Sequence, residues 1–276
     1  MSGWNLVISG CGTSHGSPPW GWPEQWSEDP RDHRRRSGAI IRGPDDQVLL
    51  IDAGPDLMHQ MRDPYRDWDG IHYPQRCITR CDAVLLTHEH ADHTHGINEL
   101  RHLNRLQHGD PIVIYGHATH LAQLRRRFDY CFPTEEEEAY YLSRPVLRTR
   151  SLSDGLTLEL AGLPVTAFEQ SHGPAGRTTG FRCGSMGYCT DVKVFPEVSF
   201  AYLQDLELLV LGMLREDEHE THMHLAEALM VVERVRPRRT VFVHMGPEMR
   251  YARWAGRLPP GVELAYDGMV LPFGDT

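Results

Sequence analysis

No apolar run in these 276 residues approaches the length needed to cross a membrane, and Met1-Ser2-Gly3-Trp4 has no basic segment leading into an apolar core. The chain is therefore expected in the cytoplasm, with no membrane partner. Its six cysteines (Cys11, Cys77, Cys81, Cys131, Cys183, Cys189) form no C-x-x-C pair, and a chain this long does not need disulfides to hold a core. Free, mostly buried thiols are expected, and Cys77 and Cys81 with His72 make an incomplete ligand set. A basic surplus is missing too. The 28 Lys and Arg face 38 Asp and Glu, a formal net charge of −10, which argues against gripping a nucleic-acid polymer through a broad basic surface. Repeats and low-complexity tracts are absent apart from Glu135–Glu138, an acidic run of the solvated kind. What is present is strand and helix signal from Trp4 to Phe273 without a long linker, enough for one domain spanning residues 1–276.

The most informative segment is Thr87-His88-Glu89-His90-Ala91-Asp92-His93. Val84-Leu85-Leu86 before it has the makings of a short buried strand, so the motif starts at a strand's carboxyl end. In extended backbone His88 and His90 project to one side, while Asp92 and His93 open the helical-looking stretch Ile97–Leu106 and can point at a neighbouring position. One loop can thus serve two metal ions. Neutral imidazole suits zinc, iron, manganese and nickel, and a carboxylate moves the preference toward harder ions. A solvated loop that merely carries histidines is the plain alternative in a chain with 17 His, but H-x-H-x-D-H directly after an apolar strand is a demanding pattern.

Further blocks extend the pattern. They are Gly10-Cys11-Gly12-Thr13-Ser14, Leu50-Ile51-Asp52-Ala53-Gly54-Pro55-Asp56, Gln170-Ser171-His172-Gly173 and Tyr188-Cys189-Thr190-Asp191, then Thr221-His222-Met223-His224, Val243-His244-Met245 and Val262 to Gly268. In order and spacing the chain resembles the metallo-β-lactamase-fold hydrolases. Within them it is similar to the cyclic phosphodiesterase branch that includes the phosphoribosyl cyclic phosphodiesterases of phosphonate breakdown.

The resemblance implies an α/β fold, an αββα four-layer sandwich of two mixed sheets with helices on both outer faces and metals at one edge. It implies that His88, His90 and His172 bind one metal, that Asp92, His93 and His244 bind a second, and that Asp191 bridges them. Strand-like runs before His172, Asp191 and His244 support these positions. Asp52, after Val48–Ile51, resembles a position that orients a ligating histidine from behind. Asp56 reads as a helix cap and His95 as a surface residue. The expected cofactors are two divalent metal ions, zinc or manganese, with iron open. His222 occupies a Thr-His block that supplies a proton or contacts phosphate, and its expected role is general acid. It precedes a helix read at Leu225–Val235, where His219 and His224 are read as surface or supporting groups.

Water between two cations is acidified, so hydroxide is available at neutral pH to attack a phosphodiester held by the same metals. The expected reaction is hydrolysis of a small cyclic phosphodiester, a ribose cyclic phosphate or a 2′,3′-cyclic nucleotide. A carboxylic ester, lactone or thioester hydrolase is the second reading, because the same hydroxide attacks carbonyl carbon. A tRNA-processing endonuclease would need an RNA-binding arm that the chain lacks. A non-hydrolytic accessory protein in cofactor biosynthesis would be favoured by loss of Asp92, His172, Asp191 or His244, and none is lost. A homodimer is left open.

Departures from the resembled family bear on the substrate. Where several relatives carry a cysteine-rich structural zinc loop, this chain has Pro18-Pro19-Trp20-Gly21-Trp22-Pro23-Glu24-Gln25-Trp26, so no structural zinc is expected. The three tryptophans are expected to cover a core edge, with a pocket mouth as the alternative. Asp63–Gln75 reads as an aromatic loop that shapes substrate access. Arg31–Arg36 and Arg125–Arg127 read as salt-bridged surface rather than phosphate contacts.

Overall fold

A computed structural model describes residues 3–65, 77–134 and 143–274. Of the aromatic loop only residues 63–65 fall inside that range; His72 and Glu135–Glu138 lie outside it.

Short runs of aliphatic residues build the frame. Val48-Leu49-Leu50-Ile51 and Leu208–Gly212 are buried along their whole length, as strands covered on both faces must be. Strands β1 (Trp4–Gly10), β2 (Gly38–Arg42), β3 (Val48–Ile51), β4 (Ala83–Leu85), β5 (Ile112–Gly116) and β6 (Leu147–Ser151) form one sheet in sequence order. Strands β7 (Thr157–Leu160), β8 (Leu163–Ser171), β9 (Arg177–Cys183), β10 (Met186–Cys189), β11 (Leu208–Gly212), β12 (Arg239–Val243) and β13 (Val262–Leu264) form the second. The last strand, β14 (Val270–Phe273), returns to the first sheet beside β1. Each sheet is mixed: β14 to β3 and β7 to β10 pair antiparallel, β3 to β6 and β10 to β13 parallel.

Leu6, Ile8, Ile41, Leu49 and Ile51 of the first sheet meet Phe168, Phe181, Tyr188, Leu209 and Phe242 of the second in one buried cluster. Each such side chain stabilises the fold by about 1.5–3 kcal/mol relative to an exposed position. The other face of the first sheet is covered by α1 (Leu57–Arg62), α3 (Leu100–Leu106) and α4 (Ala118–Arg127), through Leu57, Leu100, Leu103, Leu121 and Leu124. Helix α5 (Leu225–Val235), at the bounds expected from sequence, packs Ala228, Val231 and Val235 against the second sheet's cluster. The fold is the αββα sandwich. No described helix is long and apolar enough to cross a membrane.

Three expectations need correction. The helix expected at Ile97–Leu106 starts with a 3₁₀ turn, Ile97–Glu99, and Asp92 and His93 sit on a separate short helix, α2 (Ala91–Thr94). Gly96 causes the break: its N–H bonds the Ala53 carbonyl, and the chain passes so close to Gly54 that a Cβ on Gly96 would fall 1.9 Å from the Gly54 oxygen. Asp56 stands at the first position before α1 without capping it, because its carboxylate accepts three bonds from Arg36 at 2.7–2.9 Å. Nor do the tryptophans cover a core edge: Trp20, Trp22 and Trp26 are 94%, 57% and 63% exposed. The core edge near their loop is already closed by fully buried Cys11, Met245 and Met249.

The Arg31–Arg36 cluster is ion-paired as expected: Arg31, Arg34, Arg35 and Arg36 meet Asp29, Asp32, Asp63 and Asp56. The described hydrogen bonds of Arg125 and Arg127 go to the Thr149 hydroxyl and the Glu89 backbone carbonyl rather than to carboxylates.

Gly96→Ala is expected to lower folding stability by about 3 kcal/mol, the upper range for forcing volume into a closed site. Urea denaturation would measure it, and a change below about 0.5 kcal/mol would mean that the two loops do not pack this tightly.

Candidate metal centre

The site forms where parallel strands end. Asp52 follows β3 and Thr87 follows β4. The Asp52 carboxylate accepts the Thr87 N–H at 2.8 Å and the Thr87 hydroxyl at 2.8 Å, tying the two strand ends together. It also accepts from His93 Nδ1 at 2.6 Å, so the His93 proton sits on Nδ1 and Nε2 presents a lone pair. A second tie is backbone: Ala53 N–H bonds the His93 carbonyl at 2.8 Å.

Two groups of donors result. His88, His90 and His172 bring ligand atoms within 4.8 Å of one another, as do Asp92, His93, Asp191 and His244. The structure therefore brings together all seven residues singled out from sequence. Asp191 faces both groups: its Oδ2 lies 3.2 Å from His93 Nε2 and 3.3 Å from His244 Nδ1, and its Oδ1 lies 3.8 Å from His172 Nε2. His222 Nδ1 is 3.9 Å from the same Oδ1, and its ring lies between those of His172 and His244, with centroids 4.6 and 4.7 Å away. His172, Asp191 and His222 form a third possible donor group, which sequence reasoning did not foresee.

The donors fit cations. His172 Nδ1 donates to the Thr221 carbonyl at 2.7 Å, and His88 Nδ1 donates to Thr87 Oγ1 at 3.0 Å, the Thr87 proton being given to Asp52. Each leaves an Nε2 lone pair facing inward. His88 Nε2 and His93 Nε2 are buried without a hydrogen-bond partner. A lone pair set 3.2 Å from the carboxylates of Asp92 and Asp191 is repelled unless a positive charge lies between them. Without a metal, a proton takes that place: burial pushes the His93 pKa down, but Asp191, Asp52 and Asp92 outweigh it and hold it well above the usual histidine range. Burial, reinforced by His93, keeps His88 uncharged, and burial lowers His172 as well.

Three residues of the centre, Asp52, Asp191 and His244, have left-handed backbone with φ of 64°, 51° and 57°. Non-glycine residues rarely accept this, at a cost of about 1–3 kcal/mol each, and such strain concentrates at functional sites. Supporting groups that sequence reasoning missed are Thr87 and the Thr221 carbonyl; Ser37 also reaches the site, its Oγ 2.8 Å from His244 Nδ1, the nitrogen that faces Asp191. Thr87 abuts the motif and was open to notice; Ser37 has no local signal. His95 is exposed against Phe128, and His224 begins α5 with its N–H on Glu227.

A strand-end centre of this kind between two mixed sheets defines a metallo-β-lactamase-fold protein. The sequence profile described as Beta-lactamase superfamily domain matches residues 47–245. The chain belongs to that superfamily. A structure described as a new diphosphatase from the PhnP family is 28% identical, covers 98% of each chain and superposes with a TM-score of 0.82. Zn(2+)-bound PqqB from Methylobacterium extorquens, 21% identical over 98% of this chain and 100% of its own, shares the fold with a TM-score of 0.71. The octanoyltransferase of Porphyromonas gingivalis (strain ATCC BAA-308 / W83) is 27% identical over 267 residues, 95% of this chain and 50% of that protein. The chain thus spans half the length of that curated relative.

The raised His93 pKa sets a pH dependence. In metal-free protein its contribution to stability is complete below about pH 6.5, the unfolded value, and is lost as pH rises through the higher folded value. Zinc must displace that proton. The rise in melting temperature on adding zinc is therefore expected to grow with pH, with protons released on binding; calorimetry in buffers of different ionisation enthalpy would detect them, and pH-independent uptake would contradict the assignment. Asp52→Asn is expected to weaken zinc binding about 10–100-fold in competition with a chromophoric chelator. Unchanged affinity would remove the orienting role of Asp52.

Proposed function

We propose that this metal-dependent hydrolase of the beta-lactamase superfamily is a phosphodiesterase acting on a small cyclic phosphodiester, a ribose cyclic phosphate or a 2′,3′-cyclic nucleotide. The observation that carries the reading is Asp191, whose two carboxylate oxygens face two complete donor groups. In it, His88, His90 and His172 would hold one divalent ion and Asp92, His93 and His244 the other, with Asp191 facing both groups. Zinc or manganese suits this nitrogen-rich set with carboxylates, and iron is third. When bound, the pair supplies Lewis acidity and a nucleophile from water at neutral pH.

The chain's own groups do the rest. Asp52, Thr87 and the Thr221 carbonyl keep the imidazole lone pairs aimed. His222, beside Asp191 and between His172 and His244, stands where it can give a proton to a leaving alkoxide. Burial, with His244 adding to it, pushes the His222 pKa down to about 2. The ring is thus neutral in the metal-free protein; a phosphate anion arriving beside it would favour the protonated form that proton donation needs, while cations at the centre would oppose it.

Similarity to the PhnP-family diphosphatase supports phosphorus rather than carbon as the centre attacked. A carbonyl substrate is the second reading, favoured by the relative named as an octanoyltransferase. The formal charge of −10 supports a small substrate over a nucleic-acid polymer. Six free cysteines, five of them buried, support a reducing compartment, so the activity is assigned to the cytoplasm.

Zinc-, manganese- and iron-loaded protein assayed on cyclic phosphodiesters beside a lactone and a thioester tests the reading. Ring opening of the phosphates is expected; carbonyl hydrolysis alone would favour the second reading, and no turnover on any would favour an accessory role. His222→Ala is expected to keep both metals and to slow poor-leaving-group substrates about 100-fold or more. On bis(p-nitrophenyl) phosphate, whose leaving group needs no proton, the loss should stay within about tenfold. Equal losses on both would make His222 a phosphate-binding group, and loss of a metal would make it a ligand.

A further inference from the structure

The exposed tryptophans belong to the long connection between β1 and β2, whose two ends touch the metal centre. It leaves the first sheet after Cys11. Cys11 O accepts from Met245 N at 2.9 Å, and Thr13 N bonds the Met245 carbonyl at 3.2 Å. The loop returns at Ser37, which contacts His244 Nδ1. Both stems therefore stand at His244. Between them an open cavity of about 640 Å³ is lined by Pro18, Trp20, Trp22, Trp26, His33 and Arg36, among others. This lies within the range of small-ligand pockets.

The loop is held in shape. Ser17 and Arg34 exchange backbone bonds at 2.9 and 2.7 Å. Arg250 Nη2 bonds the Gln25 carbonyl at 2.6 Å, and the Trp26 and His33 rings meet edge to face at 4.5 Å. An indole 94% exposed, as Trp20 is, adds almost nothing to folding stability, and three exposed indoles on one braced loop form the kind of apolar surface that marks a binding site.

Charge narrows the choice of occupant. The guanidinium groups in the wall are already matched, Arg34 with Asp32, Arg35 with Asp63 and Arg36 with Asp56. The cavity offers flat aromatic and proline surfaces with little net charge, which suits an uncharged planar ring better than a second phosphate. We infer that this loop is a base-binding subsite, so that the substrate is a nucleotide whose base stacks on Trp20 and Trp22 while its phosphodiester lies at the metal centre. The inference rests on the phosphodiesterase reading and selects, within it, the 2′,3′-cyclic nucleotide over a base-free ribose cyclic phosphate.

The test is a binding measurement that needs no turnover. Calorimetry on zinc-loaded protein compares adenosine 3′-monophosphate with the base-free methyl riboside 3′-phosphate. Wild type is expected to bind the nucleotide at least about tenfold more tightly, the low-to-middle range for one base stacked on an aromatic side chain. In the double variant Trp20→Ala/Trp22→Ala that ratio should fall close to one, and the KM for 2′,3′-cyclic AMP should rise by a similar factor with kcat little changed. Equal affinities in wild type, no measurable binding of either ligand, or a preference that survives in the variant would each overturn the subsite. Failure of the wild type to open any cyclic phosphate, with the nucleotide preference intact, would instead sink the phosphodiesterase reading and leave the subsite standing.

Discussion

Three protons converge on the carboxylate of Asp52: the Thr87 N–H, the Thr87 hydroxyl and His93 Nδ1–H. A fully buried carboxylate needs such partners, since charge without them is expelled from an apolar interior. The same three bonds do three jobs. They join the ends of β3 and β4, set the start of the histidine motif, and choose the His93 tautomer. Moving the His93 proton to Nε2 would turn a ligand into a donor, so the second donor group exists only while Asp52 holds its place. Asp191 depends on that choice in turn, because its Oδ2 sits against the nitrogen left bare.

The centre is the least relaxed part of the fold. Left-handed backbone at Asp52, Asp191 and His244 disfavours it. So does the crowding of Asp92 and Asp191 oxygens around one imidazole. Apolar burial between the sheets offsets both, and it acts close by: β10 and β12, which deliver Asp191 and His244, consist almost wholly of buried residues. Rigid strands can hold charges in an arrangement that free side chains would leave. A cation then finds its ligands already gathered, with little ordering left to accomplish on binding.

Much of this was legible in the chain because each donor follows an apolar run. Val48–Ile51 before Asp52, Val84-Leu85-Leu86 before His88 and Thr240–Val243 before His244 are strands or strand ends, and strand ends of an α/β sheet are where ligands gather. What could not be read is long-range contact. Ser37 and His244 are 207 positions apart, and the Thr221 carbonyl reaches His172 across 49. Asp56 was misread for the same reason, since a local capping rule cannot anticipate an arginine 20 positions upstream. Gly96 broke an expected helix because of a neighbour, Gly54, that only the fold brings near. The tryptophan loop failed differently. Hydrophobicity alone sends aromatic rings inward, and that rule yields where the core beneath is already closed.

The tryptophan-rich segment is also firmly anchored. Arg34 and Asp32, both buried, pair at 3.0 Å. Arg34 Nη1 reaches the Gly246 carbonyl at 3.1 Å, and Asp32 accepts from Tyr251 N–H and the Ser27 hydroxyl. A buried ion pair adds little net stability, but removing one partner leaves a charge stranded and costs about 3–5 kcal/mol. Its use is geometric: it fixes the loop against the turn that follows His244. A cysteine-bound zinc would brace such a loop from within. Here the brace ties the loop's base to the chain beyond a metal-ligand position, and the rest of the loop is left to face solvent. The donor residues and the loop are thus held by different constraints. Substitution at the strand ends is expected to disturb the donor geometry, whereas the shape of the loop rests on Arg34 and Asp32 at its base.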